Sequence, residues 1–139
     1  MPPCRRASGR GKHEAFARYV FIWWDSDPAK LSKKALALCG DSANTLLLSV
    51  ASAWEMQIKM QLGKMKLDFP LPDIINDQRR ENGLQIIPVA LEHVLALQNL
   101  PPHHRDPFDR LLIAQAQAEN AVLVSKDKAF LNYHIEIVW

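Results

Sequence analysis

Short apolar runs alternate with helix-like segments from residue 45 onward, and this alternation constrains the fold more than any other feature. The runs are TLLLSV at 45–50, LQIIPV at 84–89, AVLVS at 121–125 and IEIVW at 135–139. Turn residues bound each run, and the first three are largely apolar on both faces of a strand. Strands of this kind are typical of a parallel sheet that helices cover on both sides. The sequence therefore predicts an α/β fold with a mainly parallel sheet.

Helical patterns fill the intervening segments. The sequence predicts helices over 33–38, 51–61, 73–81, 91–99 and 107–119, with a short helical turn at 127–131. Residues 14–24, EAFARYVFIWW, also have helix-like apolar spacing. Trp23, Trp24 and Trp54 are interpreted as core residues in preference to platforms for nucleobases.

The composition indicates one globular domain. We expect residues 1–12 to be a disordered basic leader and residues 13–139 to form a single domain. A net charge of +2 gives no bulk basic field, so nucleic-acid binding would need a local patch. The two cysteines form neither a disulfide framework nor a zinc site, and Cys39 is expected in the core. With no long apolar stretch, we expect a cytoplasmic protein.

Four acids are expected at one edge of the sheet. Glu55 and Asp127 follow the runs at 45–50 and 121–125, while Asp106 and Asp109 begin the helix that precedes the latter run. In HHRDPFDRLLIAQA, Asp106 is the expected N-cap, Pro107 the first helical residue and Asp109 an acid of the first turn. A helix antiparallel to its strand begins at the strand's carboxyl end, where such sheets bind ligands.

Converging carboxylates repel one another and would need a cation. Oxygen ligands suit Mg²⁺ or Mn²⁺, which can activate water in phosphodiester hydrolysis. Arg105, Arg110, Lys59 and Lys126 could contact phosphates, Arg105 and Arg110 being the favoured pair.

Each acid also has a purely structural interpretation. Asp106 and Asp109 could be ordinary capping residues, and Asp127 could stabilise the start of a short helix. Glu55 and Lys59 could form a surface ion pair across one helical turn. His103 and His104 are not favoured as metal ligands.

Four segments together resemble the PIN-domain ribonucleases, and specifically the VapC toxins of type II toxin–antitoxin systems. They are FIWWDSDPAKLSKKA at 21–35, SVASAWEMQIKMQLGKMKL at 49–67, LPPHHRDPFDRLLIAQAQAE at 100–119 and LVSKDKAF at 123–130. The resemblance implies a three-layer α/β/α fold and an Mg²⁺- or Mn²⁺-dependent endoribonuclease. It also implies a cognate antitoxin and a homodimer. Glu55, Asp109 and Asp127 match the family's acidic positions, and Asp106 matches the extra acid of its DPFDR variant.

The family's first aspartate has no counterpart. Aligning VFIWW at 20–24 with the family's first apolar helix puts Ala17 at the position of that metal ligand. Residues 11–16, GKHEAF, do not have the pattern of a buried strand. The sequence therefore leaves open whether the first central strand is formed, distorted or missing.

Three functional outcomes follow from this substitution. The first is a VapC-like metal-dependent ribonuclease, weakened or inactive because it lacks one acidic ligand. The second is a non-catalytic PIN-like module that binds an antitoxin or a dimer partner. The third is a remnant that cannot fold.

Overall fold

A single parallel sheet forms the centre of the protein. The computed structural model describes residues 14–17, 28–102, 106–125 and 127–139. Five strands in these ranges pair in the order β3-β2-β1-β4-β5, and every pairing is parallel. They are β1 (Glu14–Ala17), β2 (Thr45–Ser49), β3 (Gln85–Ile87), β4 (Val122–Val124) and β5 (Ile137–Val138). The expected parallel sheet is confirmed, and Pro88 ends an edge strand, where its missing N–H costs no ladder bond.

The helices follow the predicted positions with small shifts. They are α1 (Lys33–Gly40), α2 (Val50–Gln61), α3 (Leu71–Asn82), α4 (Leu91–Leu95) and α5 (Pro107–Glu119). Ser32 caps α1 by accepting a bond from the Ala35 N–H at 3.0 Å, and Gly83 ends α3 at a φ of 69°. The predicted helix over 91–99 divides into α4 and a 3₁₀ turn, Ala96–Asn99. Two further 3₁₀ turns occupy Pro28–Lys30 and Lys128–Asn132.

The central strand is present. Residues 14–17 form β1 between β2 and β4, with Phe16 aligned to Leu47 on one side and to Leu123 on the other. The helical interpretation of 14–24 is therefore wrong for its first four residues, and 14–16 do behave as a buried strand. A strand with neighbours on both sides satisfies its backbone through them, so this tertiary pairing overrides the helix-like spacing of the side chains.

Helices cover both faces of the sheet, which confirms three α/β/α layers. Successive strand residues point to opposite faces, so Ala15 and Phe16 belong to different clusters. The first cluster joins the sheet to α1, α2 and α3 through Ala35, Cys39, Met56, Leu71 and Ile74. The second joins it to α5 and the last two 3₁₀ turns through Leu100, Leu112, Ile113, Ala116, Phe130 and Tyr133.

Cys39 is buried in the first cluster, as predicted. Burial raises the pKa of its thiol to about 11, because the thiolate is poorly solvated there, so the side chain stays protonated at neutral pH. No helix in the described ranges is long and apolar enough to cross a membrane. The predicted leader over 1–12 and the tryptophans at 23 and 24 lie outside the described residues.

The start of α5 has the predicted cap. Asp106 Oδ1 accepts bonds from the Phe108 N–H at 2.9 Å and from the Asp109 N–H at 3.2 Å. Pro107 occupies the first helical position, where its missing N–H would have no partner in the helix. These bonds satisfy two of the backbone donors that every helix start leaves open.

Replacing Phe16 by alanine should destabilise the fold strongly. Phe16 is 0% exposed, and deleting a buried phenyl ring costs about 3–5 kcal/mol of unfolding free energy. Urea unfolding followed by circular dichroism measures the change. The matched control is Leu131→Ala, because Leu131 is 65% exposed and should shift the value by less than about 0.5 kcal/mol. A wild-type chain without a cooperative transition would instead support the folding-defective remnant.

The stabilisation that comes from the Asp106 cap should be separable from any stabilisation that comes from its negative charge. Asp106→Ala removes both acceptor bonds and should lower the unfolding free energy by about 1 kcal/mol. Asp106→Asn keeps an acceptor oxygen and should stay within a few tenths of wild type. The same urea titration measures both. Equal losses in the two variants would mean that the negative charge, and not the cap, stabilises this helix start.

Candidate active site at the carboxyl edge of the sheet

The carboxyl ends of the strands meet at one edge, which we call the carboxyl edge. There β1 ends at Ala17, β2 at Ser49 and β4 at Val124. The α2 helix begins at this edge directly after β2, and Asp127 follows β4 there. The α5 helix begins at the same edge because it runs antiparallel to β4, which it precedes. This is the location that parallel α/β folds use for ligands.

An aromatic contact joins α2 and α5 across this edge. The rings of Trp54 and Phe108 lie with centroids 5.1 Å apart at an interplanar angle of 81°. Glu55 and Asp109 are the next residues along the two helices, and they are 5% and 3% exposed. Two buried acids therefore lie on helices of opposite layers, each next in sequence to one ring of this contact.

Glu55 does form the ion pair that was considered as its alternative role. The Lys59 ammonium lies 3.8 Å from a Glu55 carboxylate oxygen, one helical turn along α2. The pair is not a simple surface pair, because the carboxylate is buried. A buried ionised carboxylate is costly without a compensating charge. Lys59 therefore compensates part of the charge of Glu55.

Asp106 and Asp127 are less buried than the other two acids. Asp106 is half-buried and its side chain forms the α5 cap. The backbone of Asp127 opens the last 3₁₀ turn: its N–H donates to Ser125 Oγ at 3.1 Å, and its carbonyl accepts from the Phe130 N–H at 3.3 Å. The helix-start interpretation of Asp127 thus agrees with its backbone geometry.

Ala17, the residue that the resemblance aligns with a metal-binding aspartate, lies at the end of the central strand. Ala17 is the last residue of β1 and aligns with Val124 of β4. Glu14 begins the same strand opposite Thr45. Since a strand advances about 3.3 Å per residue, Glu14 lies roughly 10 Å from this end and cannot replace the missing carboxylate.

The donor chemistry of the edge suits a hard cation, but the donor number falls short. The carboxylate oxygens of Glu55 and Asp109 are the type that Mg²⁺ and Mn²⁺ prefer. In the part of the chain that the structure describes, no group of three or more His, Cys, Asp or Glu side chains could hold a metal ion. The four predicted acids, Glu55, Asp106, Asp109 and Asp127, therefore do not form such a group in this structure, and the central strand ends in an alanine.

Arg110 is engaged with the backbone. Its guanidinium donates to the carbonyls of Pro101 at 3.0 Å, Leu100 at 3.3 Å and Leu97 at 3.4 Å. These bonds tie the segment before α5 to the first turn of that helix. A phosphate contact by Arg110 stays a prediction. Arg105, the other predicted contact, lies outside the described residues together with His103, His104 and Lys126.

A buried polar network behind the edge was not predicted. Ser49 Oγ donates to Gln115 Oε1, and the Gln115 amide donates to the Pro88 carbonyl at 3.3 Å. The Gln115 amide also lies 3.4 Å from His93 Nδ1, which accepts from the Ala90 N–H at 3.0 Å. Ser49 is in turn the N-cap of α2, since its Oγ accepts from the Ala51 N–H. The signal was one glutamine in the apolar helix LLIAQA, where a polar residue requires a partner.

Trp54 is not the core residue that the sequence suggested. It is 61% exposed, and its described ring contact is the one with Phe108. The neighbouring residues Ser52, Glu55 and Met56 are buried. Near the start of α2, the polar side chains of Ser52 and Glu55 are therefore buried, and the indole of Trp54 is at the surface.

Comparison with known proteins agrees with this architecture. A crystal structure of VapBC2 from Rickettsia felis bound to a promoter DNA fragment aligns with a TM-score of 0.63 and 17% identity, covering 89% of this chain and 96% of that one. Ribonuclease VapC16 of Mycobacterium tuberculosis is 37% identical over 57 residues, which are 41% of this chain and 39% of the relative. This match thus spans about two fifths of the relative's length.

The family comparison covers most of the chain. The model of the PIN domain matches residues 19–135, beginning just after β1. The matched segment contains Glu55, Asp106, Asp109 and Asp127, and it leaves out the central strand β1 and the last strand β5. The chain therefore belongs to the PIN domain family.

Proposed function

We propose that the protein is a VapC-like toxin, a metal-dependent endoribonuclease that hydrolyses RNA phosphodiester bonds and is weakened or inactive because of Ala17. The observation that carries the proposal is the burial of Glu55 and Asp109 at the junction of α2 and α5, at 5% and 3% exposure. Capping two separate helices would not require two acids from opposite layers to be buried at one junction. In a PIN-family chain, they fit a shared cation.

Mg²⁺ or Mn²⁺ is the proposed cofactor. Glu55 and Asp109 would hold it, with Asp106 and Asp127 as the further acids of the edge. When bound, the ion would supply a polarised water and charge neutralisation for the scissile phosphate. The chain's own contribution is the negative charge of these carboxylates, which repel one another and any approaching anion. That repulsion opposes an RNA phosphate until a cation offsets it.

The alanine at position 17 explains the proposed weakening. The central strand ends at the middle of the carboxyl edge. Its last residue, Ala17, has no side-chain atom that could coordinate a metal ion. Lys59 competes for Glu55 at 3.8 Å. A site with fewer carboxylates and an internal cation binds Mg²⁺ more weakly, so activity would require a higher metal concentration.

The proposed partners follow from family membership. They are a cognate antitoxin, an RNA substrate, for which Arg105 and Arg110 are the proposed phosphate contacts, and a second copy of the chain in a homodimer. We place the protein in the cytoplasm on the same ground.

A second candidate is a non-catalytic PIN module that binds an antitoxin or a dimer partner. The observation in its favour is Ala17 at the end of an otherwise well-formed β1. The fold would then be retained for binding while the chemistry is lost. Measurable RNA cleavage by the wild-type chain would be compatible with the first candidate alone.

Restoring the carboxylate should raise activity. We expect Ala17→Asp to increase Mg²⁺-dependent cleavage of a structured RNA by at least about tenfold, the smallest effect typical of a group that orders a metal site. Cleavage is followed on gels across a metal titration, and half-maximal activity should move to lower Mg²⁺. Ala17→Asn is the matched control, with the same size and no charge.

The wild-type result distinguishes the two candidates. Cleavage by the unmodified chain at any metal concentration would refute the non-catalytic module. Cleavage that requires Asp at position 17 would support that module. If both forms are inactive while both unfold cooperatively, the ribonuclease proposal fails.

Neutralising Asp109 should abolish cleavage. Asp109→Asn keeps the shape of the side chain and removes its charge, so we expect a loss of at least about 100-fold, the upper end of what losing a partner of a bound metal costs. The assay uses whichever background cleaves, wild type or Ala17→Asp. Asp77→Asn is the control, because Asp77 is an exposed partner of Arg80 on α3. Unchanged activity in Asp109→Asn would remove Asp109 from the site.

A further inference from the structure

Trp54 is a large aromatic side chain that the acidic site does not use. More than half of its surface is open, at 61% exposure, although an indole on a helix usually buries its rings. One edge-to-face contact with Phe108, 5.1 Å between centroids, holds it. An exposed tryptophan that remains fixed requires an explanation.

The indole is held by two ordered helix starts. Phe108 is the second residue of α5, and Asp106 accepts a bond from its N–H at 2.9 Å. Trp54 lies on the first turns of α2, which Ser49 caps and whose Ser52 and Met56 are buried. Binding to such a side chain avoids much of the ordering cost of about 0.5–1.5 kcal/mol for a mobile one.

The position of the indole links it to the candidate active site. Trp54 precedes Glu55 and its ring partner precedes Asp109, so the aromatic pair borders both buried acids. Leu62 is also exposed, but it lies at the opposite end of α2, where it follows the last helical residue. The exposed apolar side chain one turn before Trp54 is Val50. A tryptophan and a valine form a small apolar area, whereas docked proteins usually cover a larger patch.

We propose that Trp54 is a stacking platform for an unpaired nucleobase of the RNA substrate. The proposal rests on the ribonuclease function proposed above. Every nucleobase has a flat π-face, and stacking on an aromatic side chain is tolerant of sequence. A duplex keeps its bases stacked inside, so the ligand must offer a single-stranded or looped-out nucleotide. Trp54 would thereby select flexible RNA at the entrance to the acidic edge.

Direct binding tests the platform without requiring cleavage. The full chain is titrated, with Ca²⁺ present to offset the charge of the acidic edge, into a fluorescently labelled oligoadenylate of about ten nucleotides, within the usual size of single-strand sites. A gel of the same samples checks that the oligonucleotide stays intact. Anisotropy gives the affinity. Trp54→Ala should weaken binding roughly 5- to 150-fold, which corresponds to about 1–3 kcal/mol for one stacked base. Trp54→Phe keeps a π-face and should retain most of the affinity.

Two further variants make the test specific. Trp54→Leu keeps an apolar side chain without a π-face and should behave like the alanine variant, which also covers the case that alanine perturbs the helix. Leu62→Ala removes an exposed apolar side chain at the opposite end of α2 and should bind like wild type. A duplex of the same length should bind wild type and Trp54→Ala equally.

The outcomes separate this proposal from the ribonuclease proposal. Equal affinity of wild type and Trp54→Ala for the single strand, with cleavage intact, overturns the platform alone. Binding that depends on Trp54 while no form cleaves RNA overturns the nuclease alone, and absence of RNA binding overturns both. If Trp54→Ala changes the mass of the protein in light scattering and not its RNA affinity, Trp54 belongs to a protein interface and the platform is refuted.

Discussion

Both halves of the core depend on the burial of β1. Its four residues lie between β2 and β4, and Ala15 and Phe16 point into different helical layers. Without this strand the two remaining strand pairs would each have an open edge, and neither cluster would be continuous across the sheet. The strand also brings position 17 to the middle of the carboxyl edge. The same four residues therefore stabilise the fold and determine what chemistry the edge can perform.

The candidate site of this layered fold lies where α2 and α5 meet. Helices on opposite faces of a sheet are normally separated by it and meet only beyond its edge. Here the Trp54–Phe108 contact closes that gap, and Glu55 and Asp109 become buried beside it. Burial gives these carboxylates a strong local field, and Lys59 moderates it from one side. The result is a pair of buried acids beside an aromatic contact, with an alanine at the end of the central strand.

Much of this arrangement follows from local sequence signals. Apolar runs bounded by turns predict the strands, and Asp106-Pro107 predicts the start of α5 to the residue. The strand directions alone predict that Glu55 and Asp109 lie on helices that begin at the same edge of the sheet. The central strand was harder, because EAFA has no period-2 pattern and its pairing is entirely non-local. Trp54 and Gln115 were missed for a related reason: which face of a helix is covered depends on the neighbouring layer, and a helix's own periodicity does not specify it.

The bond between Ser49 and Gln115 has an evolutionary consequence. It connects the end of β2 to the middle of α5 inside the protein, where both side chains are almost fully buried. Losing either partner alone leaves a buried polar group unsatisfied, at about 1–3 kcal/mol. Replacing both with apolar residues avoids that loss at this bond but removes the cap of α2 and the donor to the Pro88 carbonyl. Substitutions at these two positions should therefore occur together. Among relatives of this chain, we expect the residues at positions 49 and 115 to covary: both should be retained or both replaced.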